Sequence, residues 1–191
     1  MKLMLAKMFI LIIGTVLFTA CRLRDTHPEN HDALKQRGDA VAQAVQQELI
    51  SNVTRAIERG GTAYAVDFCN TEAMSLTDSM SELYGVQVQR ITGRNRNLAN
   101  ILKTKNDQDV YRLFSEQNGL KDTLLLENGR AVFYKRIQTA MPVCLSCHGN
   151  PQTDINAETL RKIQLFYPND LATGYSLNEF RAMWKITFPE E

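Results

Sequence analysis

Histidine and cysteine are both scarce in this chain, which contains 3 of the first and 4 of the second among 191 residues. His27 and His31 lie close to the N-terminus, so His148 is the single histidine of the main body. A structural zinc site usually takes two Cys/His pairs, and the region around His148 offers no second pair. A basic excess is also missing, because 22 Lys and Arg face 21 Asp and Glu. This balance argues against nucleic acid as a partner.

A hydrophobic run long enough to span a bilayer is missing too. The longest largely apolar run, residues 8–18, has 11 residues, whereas a spanning helix needs about 20. Lys2 and Lys7 precede this run and form a basic segment in front of it. A short apolar run behind a basic segment is typical of a signal peptide, which we predict at residues 1–20.

The end of the apolar segment carries a second signal. Residues 18–21 read Phe-Thr-Ala-Cys and resemble the lipobox of bacterial lipoproteins, although Phe18 replaces the usual aliphatic residue. We predict lipidation of Cys21 and a periplasmic, membrane-anchored protein, with the outer membrane favoured where one exists. Simple secretion and an uncleaved anchor helix are the alternatives. Residues 21–32 then form a polar, lipid-anchored tether, and residues 33–191 are long enough for one domain.

The most informative motif is Cys144-Leu145-Ser146-Cys147-His148. C-x-x-C-H is the attachment signature of a c-type haem, in which both thiols form thioethers with vinyl groups. The adjacent histidine then becomes an axial ligand of the iron. The alternative of a thioredoxin-like redox pair expects a preceding strand of a βαβ unit, whereas Met141-Pro142 precedes this motif. We therefore predict one covalent haem c.

If Cys21 carries lipid and Cys144 and Cys147 form thioethers, Cys69 is the one cysteine that remains. It lies on the apolar stripe of a predicted amphipathic helix, with spacings of three and four residues. The stripe consists of Val66, Cys69, Ala73, Leu76, Met80 and Leu83. The pattern alone fits two interpretations equally well: Cys69 is a small buried apolar side chain, or it is a haem ligand. Met80 is about 16 Å further along the helix, so both residues cannot face one iron.

The remaining periodicities predict an α+β fold with helices at one side of an antiparallel sheet. A helix over 33–59 ends at Gly60-Gly61, and a second helix covers 63–84. A strand at 86–88 opens into a polar loop, and Asn128-Gly129 supplies the turn of a hairpin. The other predicted elements are a helix at 107–117, hairpin strands at 123–126 and 131–137, a helix at 154–164 and a strand at 180–188.

Three stretches together resemble one family. They are residues 90–100, which contain Arg90-Ile91-Thr92 and Arg96-Asn97, residues 144–149 (CLSCHG), and residues 167–175 (YPNDLATGY). They are similar to elements of extracytoplasmic c-haem domains with a PAS-like fold, over roughly residues 35–188. In that family an early-helix cysteine can be the second axial ligand. The resemblance therefore implies that His148 and Cys69 are the two iron ligands. Leu98 and Asn178-Glu179 depart from the family pattern at loop positions.

Further side chains are candidates for the cofactor pocket. Arg94 and Arg96 lie in a loop from which they can reach the haem propionates by charge-assisted bonds. For Arg94, a solvated loop residue is an equally good interpretation. Tyr134 can line the pocket or belong to a strand core. Tyr167 and Tyr175 flank a turn and are expected to be scaffold.

Two function classes follow from these residues. A haem held by His148 and Cys69 has no vacant position, which favours one-electron transfer with a separate redox protein. A weak Cys69 bond instead favours a sensor of small ligands or redox state that acts through a signalling partner. Catalysis is expected to be absent, because no histidine between His31 and His148 can serve as a distal acid–base group.

Overall fold

The structure is a computed structural model that describes residues 28–190. The predicted signal peptide, the lipidation site Cys21 and most of the tether lie outside these residues. Among residues 28–190, no helix combines the length and the apolar character that a membrane crossing needs. The described chain has the order α1-α2-β1-α3-β2-β3-α4-α5-β4, with one short 3-10 turn at Leu98–Asn100.

Helix α1 (Pro28–Thr71) and helix α2 (Ala73–Tyr84) form the N-terminal half. Helix α1 is interrupted where the sequence predicts an end, because Gly61 has a φ of 75° and Gly60 is also non-helical. Such positive φ values suit glycine, which has no Cβ. The single helix predicted over 63–84 is divided at Glu72, where α1 gives way to α2. Helix α2 ends at Gly85 in the left-handed conformation.

The second half is built on a four-stranded antiparallel sheet with the strand order β1-β4-β3-β2. The strands are β1 (Gln87–Ile91), β2 (Asp122–Glu127), β3 (Arg130–Gln138) and β4 (Phe180–Thr187). Asn128 and Gly129 both have positive φ, as a two-residue hairpin turn requires, so the predicted hairpin is confirmed. The predicted α+β fold with an antiparallel sheet and long N-terminal helices is confirmed as well.

The two faces of the sheet pack against different helices, so the prediction that the helices lie at one side of the sheet is wrong. Strand alternation sends Phe133, Trp184 and Ile186 to one face, where they join residues of α1 and α2 in one apolar cluster. The opposite face meets α3 (Lys105–Glu116), whose Val110 and Phe114 pack with Tyr134 and Met183. Strand β4 is covered on both faces, and all of its residues are buried.

A buried polar cluster ties α3 to the sheet. The Asp107 carboxylate, only 2% exposed, accepts hydrogen bonds from the Tyr134 hydroxyl at 2.9 Å and from Lys185 Nζ at 2.8 Å. Burial alone would raise the pKa of Asp107, but the hydrogen bonds from Lys185, Thr104 and Tyr134 outweigh burial and lower this pKa. Thr104 also closes the capping box that begins α3. The cluster therefore holds a charged pair in place with its hydrogen bonds satisfied.

Tyr134, a predicted pocket residue, belongs to this cluster. Its ring is fully buried on the α3 side of the sheet, and its hydroxyl is engaged by Asp107. Neighbouring residues of a strand point to opposite faces, so Phe133 faces α1 while Tyr134 faces α3. The structure thus corrects the placement of Tyr134, which acts as scaffold at a distance from the cavity described below.

Helices α4 (Pro142–His148) and α5 (Ala157–Phe166) lie between β3 and β4. Helix α4 begins with Pro142 in its first turn, where the missing N–H is not needed. Helix α5 packs on α1 through Ile163 and Val66. Its first turn is capped by the Asn156 side chain, which accepts a hydrogen bond from the Thr159 N–H. These contacts bring the 144–148 motif next to the C-terminal part of α1.

Candidate cofactor site

The C-x-x-C-H motif forms all of α4 after its first two residues. One helical turn separates Cys144 from Cys147, which places both thiols on the same side of the helix. The C-terminal end of α4 is closed by a 2.8 Å hydrogen bond from the Gly149 N–H to the Leu145 carbonyl. Cys144, Cys147 and His148 are all half-buried, and all three line one cavity. Both thiols are free in this structure.

The His148 ring is fixed by a backbone acceptor. Nδ1 lies 2.8 Å from the Ala172 carbonyl, and a carbonyl only accepts, so Nδ1 carries the hydrogen and Nε2 keeps its lone pair. Burial first, and then the nearby Arg181 and Arg96, lower the pKa of His148 well below 6.5. The imidazole is therefore neutral and oriented, the state in which histidine binds metals.

The segment that carries Ala172 is tied to α4 by its backbone. The Gly174 N–H donates to the Gly149 carbonyl at 2.7 Å, and the Tyr175 N–H donates to the His148 carbonyl at 2.9 Å. The Tyr175 ring meets the imidazole edge to face, with ring centroids 6.4 Å apart. The segment 167–175 thus fixes the position of His148, and Tyr167, which was expected to be scaffold, also lines the cavity.

Cys69 faces the same cavity as His148. It lies on α1 beyond the glycine break and lines the cavity wall opposite the sheet, together with Val66. Burial raises the pKa of the Cys69 thiol, against the opposing effect of Arg90 and Arg96. Met80, its competitor on the apolar stripe, instead packs against the core between the helices and the sheet. Leu83, at the end of the stripe, is 71% exposed.

The cavity consists of two connected parts. The inner part has a volume of about 170 Å³ and the outer part about 680 Å³. The inner part is walled by apolar residues of α1, including Ile50, Val53 and Ile57, and it contains the motif cysteines. Both parts share six lining residues, which are Leu49, Cys69, Arg90, Arg96, His148 and Tyr167. An apolar slot that has Arg90 and Arg96 where its two parts meet fits a flat apolar ring that carries carboxylates at one edge.

Arg96 lies at the cavity, but its side chain holds the surrounding loops. Nε donates to Asp170 Oδ1 at 3.0 Å, and Nη2 donates to Asp170 Oδ2 at 3.2 Å and to the Cys147 carbonyl at 2.7 Å. The Arg96 side chain is only 12% exposed. Because these bonds join the 167–175 segment to the haem motif, Arg96 positions α4 as well as lining the cavity.

Arg94 is not among the residues that line the cavity. Its guanidinium donates to the Leu171 and Thr173 carbonyls and pairs with Glu179 at 3.2 Å. It also stacks on the Tyr175 ring, 3.8 Å from the centroid. The sequence left two interpretations open for Arg94, a solvated loop residue and a cofactor contact. The structure supports neither of them.

The sequence interpretation missed two arginines of the cavity wall. Arg90 lines both parts of the cavity, and Arg181 lines the inner part, with its buried Nε left without an acceptor among the described residues. Arg90 follows Val86 and Val88 at a spacing of two residues. An arginine on the core-facing side of a strand is an available signal for a site.

Bare metal binding finds no support in the described chain. No three His, Cys, Asp or Glu side chains within residues 28–190 are grouped so that they could hold a metal ion. Cys69 and His148 offer two ligands, which suits an iron that brings its other four ligands in a ring. The donor set therefore fits a haem.

Comparison with known proteins agrees with this architecture. A family model described as Tll0287-like matches residues 22–189. Among solved structures, the crystal structure of the cyanobacterial haem protein Tll0287 is similar, with a TM-score of 0.63 and 21% identity, over 86% of this chain and 97% of that chain. At this identity the likeness shows a common fold. No protein in the curated set matches the chain.

Proposed function

Because the chain belongs to the Tll0287-like family, we propose that it is an extracytoplasmic c-type haem protein that transfers single electrons. The observation that carries the proposal is the meeting of Cys144, Cys147, His148 and Cys69 at one cavity. The solved relative is described as a haem protein, which supports the choice of cofactor. A haem, when bound, supplies an iron that alternates between the ferric and ferrous states.

Each side chain has a role in holding the cofactor. Cys144 and Cys147 would form the two thioether bonds, and His148 would offer Nε2 as the proximal ligand. Cys69, which lines the same cavity, would offer sulfur as the second axial ligand. The Ala172 carbonyl keeps the proton on Nδ1 of His148, which is the outer-shell contact that fixes the orientation of a ligating histidine.

The residues around the cavity favour electron transfer over catalysis. Apolar side chains of α1 form much of the wall of the inner cavity. Two protein ligands would leave no open position at the iron, and the described cavity lining contains no histidine besides His148. Catalysis needs an open position and acid–base groups, so we propose a non-enzymatic role with a separate redox protein as partner.

Haem-based sensing is the second candidate. The outer cavity leaves space next to Cys69, into which a small ligand could enter if the sulfur left the iron. The sensor would then act through a signalling protein. Gas binding distinguishes the two roles, because electron transfer requires that both ligands stay in place.

Carbon monoxide provides that measurement. We expect the absorption spectrum of the reduced holoprotein to stay unchanged under carbon monoxide, because Cys69 and His148 occupy both axial positions. The Cys69→Ala variant is the matched control and should bind carbon monoxide at its vacated position. A shift of the wild-type spectrum as large as that of the variant would favour the sensor over the electron carrier.

The location proposed for the protein rests on residues outside the described part. Residues 1–20 would be removed as a signal peptide, residues 21–32 would tether the domain, and residues 33–191 would form it. Lipid on Cys21 would hold the domain at a membrane in the periplasm. Arg22 in place of Asp favours onward delivery to the outer membrane in a cell that has one.

Fatty-acid labelling tests the anchor. Cys21→Ser should leave an uncleaved precursor that incorporates no labelled fatty acid, because the thiol is the acceptor. Cys69→Ser is the control and should be labelled like the wild type. Equal labelling of the Cys21→Ser chain would contradict lipidation at this residue, and cleavage without any label in the wild type would indicate simple secretion.

A further inference from the structure

Arg90 is a cation of the cavity wall whose role no contact among residues 28–190 explains. It lies on β1 opposite Trp184, is half-buried, and lines both parts of the cavity. Burial lowers the pKa of its guanidinium, and no hydrogen bond or ion pair from another described residue opposes that effect. The Cys69 thiol and the Tyr167 hydroxyl are the nearby groups whose ionised forms would favour the charge.

The neighbouring arginines differ from Arg90 in this respect. Arg96 is paired with Asp170, and Arg181 donates from Nη1 to the Arg94 carbonyl at 3.0 Å, although its Nε has no acceptor among the described residues. The acidic residues of the outer cavity, Asp78 and Glu82, are exposed and form no ion pair with Arg90. A guanidinium carries five N–H donors, and burying it without acceptors is costly. Arg90 is half-buried at the cavity wall, so an acceptor on a molecule bound there would complete its hydrogen bonding.

We propose that Arg90 binds a carboxylate of the cavity occupant, and specifically one propionate of the haem. The inference rests on the proposed haem binding. Cys144 and Cys147 line only the inner cavity, so they fix the vinyl edge of the ring there. The propionates, at the opposite edge of the ring, would then lie away from these thiols, and Arg90 is a cation that lines both parts of the cavity. Arginine suits this role because its planar fork bonds both oxygens of a carboxylate.

Resonance Raman spectroscopy of the full-length holoprotein tests the contact. The propionate bending band reports hydrogen bonds to the carboxylates, so Arg90→Gln should shift it toward the position of a free propionate. Arg130→Gln is the matched control, because Arg130 lines only the outer cavity and carries the same charge. Its band should stay at the wild-type position. An unchanged band in Arg90→Gln would overturn the assignment.

The reduction potential at pH 8 gives a second readout. Removing a cation from beside an ionised propionate favours ferric iron, and we expect the ferric-to-ferrous ratio at the wild-type midpoint to rise about tenfold in Arg90→Gln, or about 59 mV. Arg90→Lys keeps the charge and should stay within about twofold of the wild type, but with a shifted band, because lysine lacks the fork. If Arg90→Gln does not accumulate, an unchanged band in Arg90→Lys overturns the assignment.

Haem content distinguishes a failure of the Arg90 assignment from a failure of the proposed haem binding. We expect wild type, Arg90→Gln and Arg130→Gln to retain equal covalent haem, because the thioether bonds are independent of Arg90. Equal haem with an unchanged propionate band would overturn the role of Arg90 and leave the haem protein standing. A wild-type protein without covalent haem would overturn both.

Discussion

Replacing Cys144 and Cys147 together with serine is expected to abolish covalent attachment of the cofactor. Both thiols lie on one side of α4 and line the inner cavity, so they are the two groups placed to form thioether bonds. Serine has nearly the same size as cysteine, but its hydroxyl does not form the thioether. Acid–organic extraction should release all pigment from the double variant, whereas the wild type should retain its pigment on the polypeptide.

The controls for this experiment come from the same chain. Cys69→Ala removes a thiol from the cavity without touching the motif, and its pigment should stay covalently bound. Serine at 144 and 147 leaves the Ala172 contact of His148 in place, so residual non-covalent haem in the variant is compatible with the proposal. Covalent pigment on the double variant would contradict attachment at these residues, as would complete extraction from the wild type.

The sequence predicts the elements whose cause is local. The glycine pair at 60 and 61 ends the predicted helix because it adopts non-helical backbone angles, and Asn128-Gly129 turns the hairpin because both residues tolerate positive φ. The division at Glu72 was not predictable in this way. The chain carries no glycine or proline there, and the weak helix formers Asn70 and Thr71 do not by themselves mark a helix end.

The site was harder to predict because it depends on which face of the sheet the helices cover. Tyr134 and Arg90 both lie on strands beside apolar residues, and strand periodicity assigns each to one of two faces without saying which face holds the cavity. Tyr134 turns to Asp107, whereas Arg90 turns to the cavity. The role of Arg96 depends on Asp170, 74 residues away in sequence, a separation that no local pattern reports.

For the second iron ligand, the sequence pattern and the packing together point to Cys69. The stripe of α1 and α2 left Cys69 and Met80 as alternatives, since one iron cannot meet both. The structure packs Met80, partly buried, against the core and places Cys69 at the cavity wall with His148. A cysteine sulfur bound to iron is deprotonated by the metal, and an anionic sulfur donates electron density that favours the ferric state.

Cys69→Ala is therefore expected to change the ferric haem more than any other single substitution outside the motif. The ferric absorption spectrum and the low-spin magnetic resonance signal should both lose their wild-type form, because the methyl group of alanine cannot bind iron. Cys69→Met should raise the reduction potential if its thioether binds, as methionine ligation does in other cytochromes. The oxidised wild type should also resist alkylation at Cys69, since the bound sulfur is no longer a free nucleophile.

Met80→Leu is the matched control for Cys69→Ala. Leucine fills the volume of methionine in the core, and the ferric spectrum of this variant should equal that of the wild type if Cys69 is the ligand. An unchanged spectrum and resonance signal in Cys69→Ala would instead assign Cys69 to packing. The thiol would then be one more small side chain at the cavity wall beside Val66, and the iron would take its sixth ligand from elsewhere or keep an open position.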